Sequence, residues 1–319
     1  MCGWDMIVQS RMSMMKTEPT YLSLHERGVL EERLEALEKH VSPCTLCPHR
    51  CAVDRSKSKE GRCKSGLLPI VSSLGPHFGE ERPLVGRKGS GTIFFTNCNL
   101  GCIFCQNYDI SHLGQGREVS YRDLALMMIS LQENGCHNIN CVTPTHMVYA
   151  IVRALVQAVP RGLRLPLVYN SGGYDSVETL RLLSGIFDIY MPDFKYWDGE
   201  VAGELSGARD YPEVARSALR EMHDQVGDLK LDEQGVAYRG LLVRHLVLPQ
   251  GLAGTEKVID FLHGLSPDLY LNLMDQFRPA YRARECPTLR RRATLEEFDY
   301  TVAYARRVGM RRLDGYTTL

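Results

Sequence analysis

The sequence predicts an α/β fold, a partial (β/α)6 barrel with a small cysteine-rich extension on its N-terminal side. Three observations support this fold: six short apolar runs of strand type, a helical pattern after each run, and polar residues where the runs end. Nearly continuous apolar strands, each followed by a helix, indicate a parallel sheet covered on its outside. The predicted strands are residues 92–96, 138–143, 165–169, 187–191, 241–248 and 269–274.

Seven stretches carry a helical pattern, and the first of them is amphipathic. In the first of them, Leu30, Leu34, Leu37 and Val41 recur at intervals of three and four residues, so one apolar stripe can dock on the main body. The last one closes the chain. The predicted helices are residues 28–40, 121–133, 147–159, 176–184, 212–226, 255–263 and 295–308.

The order of these segments predicts four parts. A methionine-rich lead, residues 1–20, is followed by a helix, a group of cysteines and a connector rich in Gly and Pro, residues 21–90. We expect the connector, residues 67–91, to turn without forming a second core. The barrel follows over residues 91–285, and residues 286–319 contain the closing helix.

Length and composition limit the classes of function. The chain has 319 residues, of which 44% are hydrophobic, so it can bury a large core. Lys plus Arg equals Asp plus Glu at 38 each, so no overall field favours nucleic acid or an anionic membrane. The start of the chain has no apolar stretch of signal-peptide or membrane-span form. We therefore expect a cytoplasmic protein without a nucleic-acid or membrane partner.

Four cysteines near the start, Cys44, Cys47, Cys51 and Cys63, are spaced C-x2-C-x3-C-x11-C. They lie in the four-cysteine segment, residues 44–66. The eleven cysteines of the chain are clustered, which favours metal ligation in a reducing compartment over disulfides. Four thiols at this spacing can close a zinc site or an iron-sulfur site, and spacing alone does not choose between them. Burial as small apolar residues is the less favoured alternative.

A second group, Cys98, Cys102 and Cys105, has the spacing C-x3-C-x2-C and directly follows the first predicted strand. We call residues 98–105 the three-cysteine loop. Three cysteines can bind three irons of a cubane cluster and leave the fourth iron open for a substrate or cofactor. Zinc with three thiolates and a water is the main alternative. The compact spacing with Gly101, and the aromatic Phe104 before the last cysteine, favour the cluster.

Polar residues also follow the other predicted strands. Chemistry in barrels of this kind gathers at the C-terminal ends of the strands. A single Asp-x-Lys at such a position is more often a structural ion pair, but polar residues at the five other strands, together with the metal loop after the first strand, predict a site. They are Thr143 and His146; Asn170, Ser171 and Gly172; Asp193 and Lys195; Arg244 and His245; and Asn272 and Gln276.

The pattern Cys98-x3-Cys102-x-Phe104-Cys105 resembles the signature of radical S-adenosylmethionine (radical SAM) enzymes. More narrowly, residues 89–95, 98–111, 142–146 and 243–249 resemble the pyruvate formate-lyase activating-enzyme-related group, and the resemblance runs from about residue 21 to the end. It implies a partial barrel of radical SAM type, a 4Fe-4S cluster and SAM. The amino and carboxylate groups of SAM would bind the open iron, and one electron from the reduced cluster would break the C5′–S bond. The resulting 5′-deoxyadenosyl radical would abstract hydrogen from a substrate.

The resemblance also implies roles for single residues. The cluster ligands are matched by Cys98, Cys102 and Cys105, and the SAM-facing positions by Phe104, Asn170, Ser171, Gly172, Asp193, Lys195 and Arg244. The two cations suit the SAM carboxylate. Thr143 and His146 stand where many members have Gly-Gly-Glu for the SAM amino group, so backbone carbonyls would replace that contact. His245, Asn272 and Gln276 are equally explained as satisfied polar residues inside the barrel.

The resulting expectation is a radical SAM enzyme that acts on a protein, peptide or small molecule, with a reductant such as flavodoxin or ferredoxin. Activation of a glycyl-radical enzyme is the nearest analogy, although the ferredoxin-like cysteines that some activases carry after the first motif are missing here. The alternative from another class is a non-catalytic iron-sulfur or zinc-binding protein, which predicts four-thiol sites only. Cys136, Cys141 and Cys286 have no ligand spacing and are expected to be structural.

Overall fold

The computed structural model of the protein describes residues 18–314. The predicted lead, residues 1–20, lies almost entirely outside the described residues. Within them, ten strands form one sheet. In chain order they are β1 (Ile70–His77), β2 (Ser90–Phe95), β3 (Arg117–Glu118), β4 (Ile139–Val142), β5 (Leu167–Ser171), β6 (Ile189–Pro192), β7 (Lys230–Leu231), β8 (Ala237–Leu246), β9 (Tyr270–Met274) and β10 (Arg312–Leu313).

The six predicted strands form one continuous parallel stretch of the sheet. β2, β4, β5, β6, β8 and β9 lie side by side in their chain order, and each pairs in parallel with the next. Their register brings the carboxyl ends to one edge: Val142 lies opposite Phe94 and Asn170, and Arg244 lies opposite Asn272. The predicted α/β fold with a mostly parallel sheet is confirmed.

Helices connect the strands, and all seven predicted helices are present among the described residues. They are α1 (Thr20–Glu26), α2 (Val29–Glu38), α3 (Arg82–Val85), α4 (Tyr108–Ser111), α5 (Tyr121–Glu133), α6 (Val148–Ala158), α7 (Val177–Leu182), α8 (Gly199–Ser206), α9 (Tyr211–Val226), α10 (Thr255–Leu265) and α11 (Leu295–Val308). Within residues 18–314, none of them combines the length and apolar character that a membrane span requires.

Two helices have the bounds that the sequence predicts because their ends carry strong local signals. α5 begins after Ser120, which forms a capping box with Asp123, and α11 begins after Thr294, which does the same with Glu297. In each box the N-cap oxygen accepts from a free backbone N–H of the first turn. α11 ends before Gly309, whose left-handed backbone closes the helix at low cost.

The prediction of a turning connector at residues 67–91 is wrong in one respect, because this stretch contains the strand β1. This strand runs antiparallel to β2, with Pro76 opposite Gly91, although the Gly and Pro content indicated turns. β3 pairs with Ile70 and Val71 alone, so Pro76 lies where β1 forms the edge of the sheet. A proline lacks the N–H that an inner strand must donate, but an edge position does not need it.

A second unpredicted element, α8, lies between β6 and α9. Asp198 begins it by accepting hydrogen bonds from the backbone N–H groups of Glu200 and Val201, and Gly207 ends it in the left-handed conformation. The helix brings Ser206 to the edge of the sheet where the parallel strands end. The helix α8 therefore contributes a residue, Ser206, to the candidate functional site.

Candidate active site

The carboxyl ends of the parallel strands surround a cavity of about 370 Å³. This volume lies in the range of small-molecule sites. Every residue that the sequence predicts for the cluster or for SAM lines it, with the exception of His146. The predicted residues that line it are Cys98, Cys102, Phe104, Cys105, Thr143, Asn170, Ser171, Gly172, Asp193, Lys195 and Arg244; Gln276 also belongs to the lining.

Each sulfur of the three-cysteine loop accepts a hydrogen bond. The backbone N–H of Leu100 lies 3.4 Å from Cys98 Sγ, Ser111 Oγ lies 3.1 Å from Cys105 Sγ, and Ser206 Oγ lies 2.9 Å from Cys102 Sγ. Such donors stabilise negative charge on sulfur and tune a bound metal centre. The sequence contains no local signal for Ser206, because it comes from the unpredicted helix α8.

Burial sets the protonation of this loop. It raises the pKa of Cys98 to about 12, with the neighbouring Cys102 thiol acting in the same direction, and it also raises the pKa of Cys105. These two thiols therefore hold their protons at neutral pH until a metal displaces them.

Phe104 anchors the loop, since its ring packs edge-on against Phe277 and Tyr196.

Asp193, Lys195 and Arg244 form a partly buried ion cluster on the cavity wall. Asp193 accepts from Lys195 Nζ at 2.5 Å and from Arg244 Nε at 2.8 Å, and Arg244 Nη2 donates to Asn170 Oδ1 at 2.8 Å. Burial would raise the pKa of Asp193, but the Arg244 and Lys195 cations hold it below its usual value. Burial acts to lower the pKa of Lys195, and the Asp193 carboxylate outweighs it. The trio therefore carries one net positive charge.

Two carboxylates that sequence reasoning missed lie on the other side of Arg244. Its Nη1 is 3.6 Å from Glu81 Oε1 and 3.9 Å from Glu80 Oε2. The predicted Asn272 donates through its Nδ2 to Glu81 Oε1 at 3.1 Å. Burial raises the pKa of Glu80, which Arg244 opposes and Glu81 reinforces. No local pattern could have found these residues, because they lie in the segment that resembled a connector.

Ser171 lines the cavity, but its hydroxyl is engaged elsewhere. It donates to Asp175 Oδ2 at 2.6 Å, while Thr145 Oγ1 and Tyr169 OH donate to Asp175 Oδ1 at 2.6 and 2.8 Å. Burial raises the pKa of Asp175 despite these three donors. The network fixes the turn after β5, so Ser171 serves the shape of the cavity wall.

The two predicted histidines, His146 and His245, lie in different parts of the structure. His146 lies outside the cavity, because the turn from Pro144 to Met147 carries it toward the four-cysteine segment, and its Nε2 is 2.9 Å from Thr96 O. His245 is enclosed in the core by Phe194 O at 2.5 Å and Thr255 Oγ1 at 2.9 Å. Burial lowers the pKa of each to about 4, so both are neutral.

The four-cysteine segment surrounds a second, much smaller cavity of about 10 Å³, lined by its four thiols, Arg55 and His146. Burial raises the pKa of Cys47 to about 12. All ten described cysteines are free thiols, and Cys136, Cys141 and Cys286 are buried in the core. Within residues 18–314, no three His, Cys, Asp or Glu side chains have the spacing of ligands to a single ion.

Among solved structures, one similar chain is the radical SAM methyltransferase TsrM from Kitasatospora setae, determined with cobalamin and a 4Fe-4S cluster bound. The match has 15% identity and a TM-score of 0.43, and it covers 59% of this chain and 36% of that one. Similarity at this level supports no conclusion about the present chain.

Two sequence comparisons are stronger. Residues 92–231 match the family model of the Radical SAM superfamily. An uncharacterised protein of Methanocaldococcus jannaschii is 31% identical over 293 residues, which are 89% of this chain and 80% of that protein. The matched residues include the three-cysteine loop and the ends of β2, β4, β5 and β6. The chain belongs to the radical SAM superfamily of enzymes, which implies a 4Fe-4S cluster and SAM.

Proposed function

We propose that the protein cleaves SAM reductively at a 4Fe-4S cluster held by Cys98, Cys102 and Cys105, and uses the resulting radical to abstract hydrogen from a substrate. One observation carries this proposal: the three thiols share a cavity with the Asp193–Lys195–Arg244 ion cluster. We also infer that the sheet forms a partial (β/α)6 barrel around this cavity, which the six parallel strands in chain order support.

The residues present fit a cluster and SAM. Three thiols with hydrogen-bond donors match a cluster that has three protein ligands and one open iron. Gly172 supports the fit, because a Cβ there would lie 2.8 Å from Leu100 Cδ1. Without that atom, the end of β5 can lie against the three-cysteine loop and leave the cavity open between them.

The side chains on the cavity wall bind and orient SAM in this proposal. Lys195 and Arg244 bind its carboxylate, and Asp193 holds the two cations at fixed positions. The backbone carbonyl of Thr143 accepts from the amino group in place of a glutamate. The resemblance implies that the backbone at Phe104 meets the adenine, and the Phe104 ring is held in place by its contacts with Tyr196 and Phe277.

A reduced cluster held by Cys98, Cys102 and Cys105 would supply the one electron that cleaves SAM into methionine and a 5′-deoxyadenosyl radical, and this radical would take hydrogen from the substrate to give 5′-deoxyadenosine. The electron comes from a donor of the flavodoxin or ferredoxin class. The protein excludes water with the apolar side chains of Val142, Leu246 and Met274, which face the cavity. The substrate is a protein, peptide or small molecule, and activation of a glycyl-radical enzyme stays a prediction from resemblance.

We further propose that Cys44, Cys47, Cys51 and Cys63 form a second metal site. Two observations support this site: the spacing of the four cysteines in the sequence, and their position around one small cavity in the structure. The ten free thiols among residues 18–314 support a reducing, cytoplasmic setting.

Electron paramagnetic resonance tests the proposed chemistry. Anaerobically reconstituted protein should bind about four iron atoms at the three-cysteine loop. The spectrum of the reduced cluster should change when SAM is added, because SAM binds the open iron. Cys102→Ala should lose the iron and the spectral change, whereas Cys136→Ala, a buried cysteine outside both groups, should keep them. A Cys102→Ala protein that still forms a SAM-responsive cluster would refute the assignment.

A further inference from the structure

The four-cysteine segment lies against the backbone of the three-cysteine loop. His49 Nε2 is 2.8 Å from the carbonyl oxygen of Asn99, within that loop. The His49 ring also contacts Tyr174, with ring centroids 5.1 Å apart, and Asn99 Nδ2 donates to Tyr174 O at 2.7 Å. Directly before the loop, Asn97 Nδ2 donates to Ser65 Oγ at 3.2 Å. The segment therefore holds the loop on two sides.

Arg62 makes a third connection. Its guanidinium occupies the space where a Cβ of residue 101 would stand, so Gly101 is required for this contact. Arg62 Nη2 donates to Ser206 O at 3.4 Å, and the backbone N–H of Gly101 donates to the same oxygen at 3.1 Å. The Ser206 hydroxyl in turn donates to Cys102 Sγ at 2.9 Å. A continuous set of contacts joins the residue next to Cys63 to a predicted cluster sulfur.

Charge at the small cavity favours a metal. Arg55 is 4% exposed and donates to three carbonyl oxygens, those of Ser65, Gly66 and His146, at 2.7 to 3.1 Å. These neutral acceptors do not balance its charge, and a buried unbalanced cation is costly. Cys44, Cys47, Cys51 and Cys63 line the same cavity as Arg55 and Arg62. Four thiolates around a divalent ion carry two net negative charges, which two arginines can balance.

The small size of the cavity favours a single metal ion over a cluster. At about 10 Å³ it holds roughly one water-sized body, which suits one ion and is too small for a four-iron cluster. Four thiolates around one ion are the ligand set of structural zinc. In the structure these four cysteines are not spaced as ligands of a single ion, so binding of zinc would move their side chains closer together.

We propose that Cys44, Cys47, Cys51 and Cys63 bind one structural zinc ion, and that this ion holds the three-cysteine loop in the geometry that the radical cluster needs. The second half of this proposal rests on the function proposed for that loop. In it, His49 is a positioning residue, because it acts on the cluster through the Asn99 backbone.

Metal analysis tests the zinc site independently of the radical cluster. The triple variant Cys98→Ala/Cys102→Ala/Cys105→Ala should contain one zinc per chain and no iron. Zinc in this variant supports the site even if the wild-type protein fails to form the radical cluster, so the two proposals can fail separately. Iron with visible absorption in the triple variant would overturn the zinc assignment, as would the absence of any metal.

The rate of iron loss tests the link between the two sites. His49→Phe keeps the ring contact with Tyr174 and all four thiols, but loses the hydrogen bond to Asn99. We expect this variant to retain zinc and to release cluster iron to a chelator about tenfold faster than the wild type, the effect of one lost hydrogen bond. Cys136→Ala serves as the matched control and should release iron at the wild-type rate. If zinc-loaded His49→Phe also releases iron at that rate, the proposed link is wrong.

Cys47→Ser gives a second test of the link. It should lose zinc and release cluster iron faster than His49→Phe does, and circular dichroism shows whether the protein remains folded. If Cys47→Ser does not fold, His49→Phe alone decides the question. A folded, zinc-free Cys47→Ser that holds its iron as firmly as the wild type would overturn the proposal.

Discussion

Ser206 Oγ donates a hydrogen bond of 2.9 Å to Cys102 Sγ across 104 residues of sequence. Ser206 is 1% exposed, and its hydroxyl lies 2.8 Å from the hydroxyl of Tyr196. Because Ser206 uses its own hydrogen for the sulfur, Tyr196 must donate to it. The three-cysteine loop therefore accepts a hydrogen bond from a side chain that the core of the protein holds in place. No pattern in the sequence near the loop indicates this donor.

Ser206→Ala should lower the reduction potential of the cluster. The reduced cluster carries more negative charge than the oxidised one, so a donor to its sulfur favours reduction. Losing part of a charge-assisted hydrogen bond corresponds to a decrease in the reduction potential on the order of tens of millivolts. A redox titration followed by electron paramagnetic resonance measures it, with Ser217→Ala, on the exposed face of α9, as control. An unchanged or higher potential in Ser206→Ala would contradict the assigned role of this hydroxyl.

Lys195→Met should weaken SAM binding and leave the iron content unchanged. The side chain keeps its length, but the cavity wall loses one of the two cations that Asp193 holds for the SAM carboxylate. A lost charged hydrogen bond of about 2 kcal/mol corresponds to roughly a thirtyfold rise in Kd. Anaerobic equilibrium dialysis with labelled SAM measures this, and Lys230→Met in the exposed strand β7 should bind SAM normally. Equal affinities for the two variants would remove Lys195 from the SAM site.

Gly173→Ala should destabilise the protein far more than Gly162→Ala. Both glycines have positive φ angles, +79° and +94°, so alanine strains the backbone by about 1–2 kcal/mol at either position. At Gly162 nothing lies within 4 Å of the added Cβ, whereas at Gly173 the Asp193 carbonyl oxygen occupies its place. Urea unfolding should show a several-fold larger loss of stability for Gly173→Ala. Similar losses would mean that the turn after β5 can move away from Asp193.

Asp188 should make the protein less stable as the pH rises. Burial raises its pKa to about 6, with hydrogen bonds from Thr20 acting in the opposite direction. The unfolded chain loses this proton near pH 4, so between pH 4 and 6 the folded state binds more protons, and the stability that protonation provides is lost as pH rises through 6. Unfolding at pH 5 and pH 7.5 should show Asp188→Asn gaining roughly 1 kcal/mol on the wild type over that range. A pH-independent difference would contradict the raised pKa.

The elements that the sequence predicts well are those with local signals. α5 and α11 have capping boxes, and their predicted bounds match the structure. The strands β2, β4, β5 and β6 are buried along almost their whole length, so their apolar runs are nearly continuous and stand out from the helices. The cavity lining follows from the same fact, because parallel strands bring their carboxyl ends together once their order is known.

What the sequence does not predict depends on contacts between distant segments. β1 contains Pro76, and only its position at the edge of the sheet makes that residue acceptable. Glu81 meets Arg244 across 163 residues, and its burial has no signature in its neighbours. His146 shows the opposite error: it follows a strand as a site residue would, but the turn after Thr143 directs it to the four-cysteine segment.

We propose that Cys98, Cys102 and Cys105 hold a cluster that cleaves SAM. The most direct test is to incubate the reconstituted, reduced protein with SAM under anaerobic conditions and measure 5′-deoxyadenosine. We expect the wild type and Cys136→Ala to form it and Cys102→Ala to form none. The absence of 5′-deoxyadenosine from the wild type, or an equal yield from Cys102→Ala, would contradict the claim.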